Sequence, residues 1–531
     1  MDDKMFLSRN QIQQITDNNQ YIRQKLFYRG FFLTNSAQIK YNEYPFYDAW
    51  NVKRLNAYYT MASHSDLPMY YEKIQGECII GILGHAYNPI TGSIDEKSII
   101  SDLGKSWKQT DLFFERINEL TGVFCLFVIE DKKITFLNDT VGLQSVFYFQ
   151  SGNQVYISSH SNLIGDLLDL EEDEYVTKLK MCKTFKYFGN QLPGNIAQYQ
   201  GMKRLNPNHY AVYSGDVKQT RFYWPHSRNI SFEEACHECI QLLQNTMELI
   251  AKKWNRPAIS LTGGCDSRTT LACTRNVYDK YSYFSYDSQS NEKPDAQAAA
   301  KICEALELPH TIYEIPYEDE FFDNIEDVRK VLIWNRGNII FNNPNDVRKR
   351  IFLDCIDSFD VEIKSWASEV GRSRYTKRYN GRRNFGKTPS PRKCTTFYKF
   401  LLFNRGLVRK TDFVFKEYLD KYFEQDKECP IPWQDQFYWE WHWPSRDGLG
   451  LTGEQQFSNE ITVPYNNRHI LELFLSVAED DRINDRLYFK IRDELDARID
   501  SAVQTVADVN RTKTRAKLEN LYYVINNLLP F

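Results

Sequence analysis

No apolar run in this chain reaches the roughly 20 residues that a membrane helix needs. The opening Met1-Asp2-Asp3-Lys4 carries no apolar stretch of the kind a secretory signal uses. Together these absences set the expectation of a cytoplasmic protein without a membrane span. Charge of one sign is missing too. Lys and Arg number 66 and Asp and Glu 70, a net of −4, so no general affinity for nucleic acid is implied. Cysteine forms no framework: the 11 Cys are odd in number and dispersed, with Cys78, Cys125 and Cys355 in apolar segments, as in a chain whose thiols stay reduced. The lone Cys-x-x-Cys, Cys236 and Cys239 around His237, lies in an amphipathic helical pattern. With no second pair nearby, it does not argue for a metal or redox centre. Position 2 is Asp and the first cysteine is Cys78, so a thiol nucleophile at a mature N-terminus is absent as well.

What is present is a globular composition, 42 % hydrophobic and 26 % charged, with aromatics at 15 %. That aromatic content reads as large cores rather than a binding surface. A length of 531 residues exceeds one ordinary core, and the pattern divides into 1–225 and 226–531. Residues 1–75 are polar and aromatic-rich, with a helix and then a strand expected within 10–32. Strands follow at 78–83, 123–130, 134–138, 146–149 and 155–158, with a helix beginning at 98–103. Tight connections between them suggest a β-meander in a layered α+β domain. A helix over 225–255 then leads to strand 258–261, a helix from 267, strand 281–286, helix 294–306 and strand 310–315. That β-α-β-α-β order implies parallel strands with right-handed crossovers, and residues 325–531 read as mostly helical.

The second half is organised around Ala258-Ile259-Ser260-Leu261-Thr262-Gly263-Gly264-Cys265-Asp266-Ser267-Arg268. Ile259 and Leu261 fit a buried strand. Gly263 and Gly264 allow backbone that side chains would block. Asp266 and Ser267 suit the opening of a helix. Backbone N–H groups converging at a helix N-terminus make an anion cradle. No Gly-Lys-Ser/Thr follows, so this is not the Walker loop. Ligands of parallel α/β sheets bind beyond the carboxyl ends of the strands. The glycine loop lies at such an end, as does Ser285. The bland alternative is a double-glycine turn without a ligand.

Thr262-Gly263-Gly264-Cys265-Asp266-Ser267 resembles the Ser-Gly-Gly-x-Asp-Ser pyrophosphate loop of the ATP pyrophosphatases. Three further pieces are similar to the glutaminase domain of the asparagine synthetase B family. They are Gly122-Val123-Phe124, then Asn138-Asp139-Thr140-Val141-Gly142-Leu143-Gln144-Ser145-Val146-Phe147-Tyr148-Phe149, then Ile157-Ser158-Ser159. Leu192-Pro193-Gly194 and 205–224 match that domain's closing segment. Asp295-Ala296-Gln297-Ala298-Ala299 and Ser365-Trp366-Ala367-Ser368-Glu369-Val370-Gly371-Arg372 continue the resemblance into the synthetase domain. So do Pro464-Tyr465-Asn466-Asn467-Arg468 and Arg511-Thr512-Lys513-Thr514-Arg515-Ala516-Lys517.

The fold this implies is an α+β N-terminal Ntn-type layered domain. An α/β PP-loop domain of the adenine nucleotide alpha hydrolase kind follows, with a largely helical C-terminal part. The implied ligands are ATP and Mg²⁺. The implied nucleotide-binding residues are Leu261, Thr262, Gly263, Gly264, Asp266, Ser267, Arg268, Ser285, Ala367, Ser368 and Arg372. Asp266 is the implied metal ligand, Glu369 the base that deprotonates or orients an amine, and Lys513 or Lys517 the cation at the α-phosphate. The implied activity is a ligase that adenylates a carboxylate for attack by ammonia or an amine. Candidate substrates are a carboxylated sugar or a peptide carboxylate, from surface-polysaccharide or natural-product biosynthesis. An intramolecular cyclase of the β-lactam synthetase or lasso-peptide type is the alternative enzyme. A non-catalytic nucleotide-binding scaffold is the alternative class. ATP-dependent sulfur transfer on RNA is disfavoured by the net charge. A homo-oligomer is compatible with the sequence.

Two departures stand out. The family's N-terminal Cys is missing, which implies a first domain without glutaminase chemistry. Arg372 falls where the family has a magnesium-binding Asp, and a cation cannot be an oxygen ligand; Arg372 is then expected on phosphate oxygens. Residues 372–393 hold nine Lys or Arg and no acid, and read as a solvated insertion or an anion-binding lid. The aromatic run Phe437-Tyr438-Trp439-Glu440-Trp441 reads equally as core packing or a substrate contact.

Overall fold

The computed structural model describes residues 7–74, 76–188, 191–288, 292–316, 322, 324–339, 344–379, 385–398, 401, 404–422, 431–503 and 513–528. In chain order the first part contains β1 (Phe31–Thr34), β2 (Trp50–Arg54), β3 (Thr60–His64), β4 (Met69–Lys73), β5 (Cys78–Tyr87) and β6 (Thr121–Glu130). There follow β7 (Lys133–Asn138), β8 (Phe147–Ser151), β9 (Gln154–Ser158), β10 (Lys203–Arg204), β11 (His209–Tyr213) and β12 (Val217–Arg221). They build two antiparallel sheets, in the orders β10-β8-β9-β1-β3-β2 and β12-β11-β7-β6-β5-β4.

The period-2 pattern explains the layering. On β5 and β6, Ile79, Leu83, Cys125, Phe127 and Ile129 point between the sheets, where Phe31, Leu33, Met61, Val155 and Ile157 meet them. Their neighbours Ile80, Ile82, Phe124, Leu126 and Val128 point the other way. They pack on Ile99, Leu103, Phe113 and Ile117 of the helices Glu96–Ser106 and Thr110–Asn118. Burying both faces leaves β6 with nine consecutive buried residues.

The strands expected as one meander are divided. β6 and β7 belong to one sheet, β8 and β9 to the other. The corner between them is set by Asp139, which is fully buried. Its carboxylate accepts the N–H groups of Leu143 (2.9 Å) and Gln144 (2.7 Å), and Asn466 Nδ2 (2.9 Å). Gly142 takes φ 70° there. A carboxylate gathering the turn's own donors makes a crossover, where a hairpin would have left them to cross-strand partners.

The helix and then strand expected within 10–32 are present, the helical part in two pieces and the strand as β1. Ser8 and Gln11 form a capping box that starts the helix Arg9–Asn18. Asn19 caps Gln20–Lys25.

After β12 the helix Phe232–Lys253 leads into β13 (Pro257–Ser260), β14 (Ser282–Asp287), β15 (His310–Glu314), β16 (Val361–Ile363) and β17 (Glu460–Thr462). These form one parallel sheet in the order β15-β14-β13-β16-β17. The chain winds outward from β13 one way, then returns to its other side at β16. The strand order therefore reverses between β13 and β16.

The two halves are joined by buried polar contacts. Glu440, fully buried, receives Arg221 (Nη2–Oε2 2.7 Å), Tyr418 (2.9 Å) and Asn208 (3.1 Å). Tyr87 shares a hydrogen bond with Thr462 (2.9 Å), and Lys25 pairs with Asp354 (2.7 Å). Trp439 and Trp441 are buried on this seam, so the aromatic run is core packing. The ten cysteines described are free, and burial pushes the Cys236 thiol up to about 12. Among the described residues no helix is long and apolar enough to cross a membrane.

Candidate functional site

The reversal between β13 and β16 brings together two segments about 100 residues apart in sequence. Ile259 of β13 is in register with Ile363 of β16. The glycine loop leaves the carboxyl end of the first strand, and 364–372 leaves that of the second. The helix Cys265–Cys273 begins with Gly264 as its N-cap, at φ −70° and ψ 156°. Gly264 is thus not in the left-handed region. A Cβ there would stand 3.0 Å from Thr262 Oγ1, a tight contact that the hydroxyl would have to yield to. Ser267 does not cap the helix but braces the loop: its Oγ donates to Thr262 O (3.0 Å) and accepts Thr262 N–H (3.3 Å). Gly264 N–H donates to Thr262 Oγ1 (3.1 Å). Gly263 N–H donates to Asp295 Oδ1 (3.1 Å), from the first turn of Lys293–Ala305.

Ala367 is fully buried at φ 69°, a left-handed conformation that costs a non-glycine residue about 1 kcal/mol or more. It turns the chain into the short 3₁₀ turn Ser368–Arg372. That turn lies tight on the helix Arg468–Ser476: a Cβ on Gly371 would be 2.4 Å from Phe474 Cβ. Tyr488 donates to Ser368 O (2.6 Å) and stacks on Phe474 with centroids 5.0 Å apart. Thr270 and Ser365 hydroxyls meet at 2.7 Å, tying the glycine-loop helix to the second segment.

Asp266 stands where the two segments meet. Its Oδ1 accepts Ser368 Oγ (2.6 Å) and its Oδ2 accepts Arg372 Nη1 (2.8 Å). Arg372 forks at the same time onto both oxygens of Asp485, at 2.8 Å each. Lys377 adds a second cation to Asp485 at 3.2 Å. Burial opposes the charge on Arg372, but Asp266 and Asp485 outweigh it and raise its pKa. Burial likewise opposes ionisation of Asp485, and Arg372 and Lys377 hold it below the usual carboxylate range.

Glu369 is beside this triad. Burial, then the negative charge of Asp266, pushes its carboxyl up to about 7, against the pull of Arg374 at 3.6 Å. Its Oε2 is sealed from solvent without a hydrogen-bond partner among the described residues.

Other expected residues lie differently. Arg268 is buried behind the loop, its Nε donating to Gly264 O (3.4 Å) and its Nη1 to Asp500 Oδ1 (2.8 Å). Arg492 holds the same Asp500 (2.9 Å) and Thr269 (2.8 Å). Ser285 donates to Leu261 O (2.8 Å) and shares a hydrogen bond with His310 (2.9 Å), so it joins β14 to the loop's base. Lys517 is exposed on the helix Lys513–Leu528, and the side chain of Lys513 lies outside the described residues.

The basic stretch is a solvated loop only in part: 386–388 are exposed, while Arg374–Tyr379 and Pro391–Thr396 are helical. Arg372, Lys377, Arg378 and Arg392 pair with Asp485, Asp485, Glu519 and Asp412. Arg372 also holds Asp266 and Arg374 faces Glu369; all these acids lie outside the run, so charge counting within it cannot see them. Arg382 and Arg383 lie outside the described residues. Asp295, read in the sequence as opening a helix at the same sheet edge, does reach the loop. Asp485 was not expected at the site: it is a lone acid in an unremarkable segment, and only the fold brings it there.

As folded, the donor set does not fit a protein-held Mg²⁺. Both Asp266 oxygens and both Asp485 oxygens are taken, and Arg372 fills the space between them. Among the described residues no three His, Cys, Asp or Glu side chains are grouped to hold a metal ion.

In the first half, β1 is preceded by Gly30, Arg29 and Tyr28, none a thiol. Position 2, used in the sequence comparison, lies outside the described residues. The head of β1 is covered: a Cβ on Gly30 would meet Phe27 O at 2.6 Å and both Ser159 Oγ and His160 Nδ1 at 2.9 Å.

No family model matches the chain, and no curated protein matches it. Solved structures give distant similarity. A structure titled the allosteric regulatory enzyme of purine biosynthesis is 10 % identical over 60 % of this chain and 85 % of its own, with a TM-score of 0.24. The glutamine phosphoribosylpyrophosphate amidotransferase from B. subtilis, complexed with ADP and GMP, is 8 % identical over 75 % and 76 %, with a TM-score of 0.23. The glutamine-dependent NAD⁺ synthetase from Acinetobacter baumannii, in complex with ADP, is 11 % identical over 34 % and 38 %, with a TM-score of 0.18.

Proposed function

We propose that the chain is an ATP-dependent amide-forming ligase of the asparagine synthetase B-like kind, acting without a glutaminase of its own. The observation that carries this reading is the meeting of the glycine loop and the Ala367–Arg372 segment at the strand-order reversal between β13 and β16. That is the crevice in which parallel α/β sheets take their ligands.

In this reading the loop 261–267 receives the polyphosphate of ATP, with the N-terminus of Cys265–Cys273 directed at it. A substrate carboxylate oxygen attacks the α-phosphorus, the bond to the β-phosphate oxygen breaks, and pyrophosphate leaves. Ammonia or an amine then attacks the acyl carbon, and AMP leaves with the oxygen that had been activated. Glu369 takes the proton released by the amine. A carboxyl that ionises near neutrality is matched to that task. Lys513 or Lys517 offsets the charge on the α-phosphate. Gly30, Phe27 and His160 crowd the head of β1, which supports a first domain that serves as scaffold, so ammonia or the amine comes from solution or another protein.

The test is ATP–pyrophosphate exchange over uronic acids, acidic amino acids and peptides. Exchange that requires one carboxylate supports the ligase and names its acyl class; exchange with none rejects it. A second reading, a non-catalytic nucleotide-binding protein, is favoured by one observation. The Gly263 and Gly264 N–H groups and both Asp266 oxygens are already satisfied from within the chain. ATP binding without exchange would support it.

A further inference from the structure

We infer that the glycine-loop site of this chain has exchanged a divalent cation for the guanidinium of Arg372. Two carboxylates, Asp266 and Asp485, face each other across that side chain. Arg372 Nη1 reaches Asp266 Oδ2 at 2.8 Å, and Nε and Nη2 reach Asp485 Oδ1 and Oδ2 at 2.8 Å each. Carboxylate, cation, carboxylate is the charge order of a metal bridge, and here the cation is covalently part of the chain.

The exchange is built in on every side. The remaining Asp266 oxygen is held by Ser368 (2.6 Å), whose carbonyl is in turn fixed by Tyr488 (2.6 Å). The Arg372 guanidinium lies over the Tyr488 ring at 5.6 Å. Lys377 sits on Asp485 at 3.2 Å, so the two acids are balanced by two bases. Glu369, the nearest further carboxyl in sequence, is drawn to Arg374. An entering Mg²⁺ needs about six oxygens near 2.0–2.1 Å in octahedral array. It would have to expel a forked, largely buried guanidinium and leave that charge unpaired.

A guanidinium has five N–H donors. Three are used here, so one on each Nη is left for an anion. Arg372 therefore offers two fixed N–H donors to whatever phosphate or carboxylate enters the loop, at a position that no chelator can empty. This metal exchange rests on the geometry alone; only its consequence for ATP rests on the nucleotide reading above.

The experiment has two arms. In the first, the purified full-length protein without nucleotide is titrated with Mn²⁺ and free Mn²⁺ is read by electron paramagnetic resonance. Wild type is expected to bind none up to about 1 mM, the weak end of protein carboxylate sites. Arg372→Asp, checked for folding by circular dichroism, is expected to gain one site. Mn²⁺ bound by wild type and lost in Asp266→Asn would overturn the inference, and this comparison decides even where Arg372→Asp fails to fold. In the second arm, ATP affinity is measured by calorimetry in excess Mg²⁺ and in EDTA. Wild type is expected to change by less than about threefold, under 1 kcal/mol. A loss of tenfold or more in EDTA would overturn it. Absence of ATP binding in both conditions rejects the nucleotide reading, while the Mn²⁺ arm still decides the exchange.

Discussion

Replacing Glu369 with Gln isolates the cost of burying that carboxylate. The folded protein holds its pKa at about 7, against 4.5 for an ordinary glutamate, through burial first and Asp266 second. One pKa unit is about 1.4 kcal/mol, so the shift corresponds to about 3 kcal/mol. The sign follows from proton counting. Between pH 4.5 and 7 the folded state holds the proton and the unfolded state has lost it. Stability therefore falls as pH rises through that window, and the cost is complete above pH 7. Glutamine keeps the shape and has no charge to bury. Urea unfolding of wild type and Glu369→Gln at pH 5 and pH 8 should show the variant gaining on wild type by about 2.5 kcal/mol between the two. A stability difference that does not change with pH would refute the reasoning, and with it the idea that Glu369 ionises near neutrality.

Three further perturbations test other parts of the structure. Arg221→Ala leaves the fully buried Glu440 without its cation and should cost about 3–5 kcal/mol in denaturant unfolding, whereas a change under 1 kcal/mol would mean the seam is hydrated. Asp166 is pushed up to about 7 by burial, while Tyr44 (2.5 Å) and Trp334 (3.0 Å) both donate to its Oδ2. Asp166→Asn reproduces that acceptor, so it should gain on wild type by up to about 4 kcal/mol as pH rises from 4 to 8; a pH-independent difference would count against a buried carboxylate there. Gly371→Ala forces a methyl to within 2.4 Å of Phe474 Cβ; it should cost about 1–3 kcal/mol and weaken ATP binding by displacing Ser368–Arg372, and an unchanged melting temperature would contradict the close packing.

Local chemistry was legible where it repeats. The apolar runs of β5 and β6 and the strand–helix succession from 257 to 314 could be read directly, because a strand buried on both faces is a short continuous apolar run and each crossover carries its own hydrophobic face. The glycine loop was legible as a strand-to-helix turn from its residue types alone. What stayed hidden depends on partners distant in sequence. The β7–β8 corner is fixed by Asn466, more than 300 residues on. The basic run 372–393 looked unpaired because its acids lie outside it, at 266, 369, 412, 485 and 519. Arg372 was visible as a cation in place of an acid. Its clamp by Asp485 was not, since nothing about that aspartate's neighbours marks it. The capping box at Ser8 and Gln11 was a local signal that could have been used for residues 7–30.

The central claim is that the loop at the reversal between β13 and β16 receives ATP. Calorimetric titration of ATP into wild type and Gly264→Val tests it most directly, because a side chain at 264 crowds Thr262 Oγ1, 3.0 Å from where its Cβ would stand. Saturable binding by wild type that weakens at least about tenfold in a folded Gly264→Val, a loss of 1.4 kcal/mol or more, is the predicted result. No binding by wild type, or binding that Gly264→Val leaves intact, would contradict it.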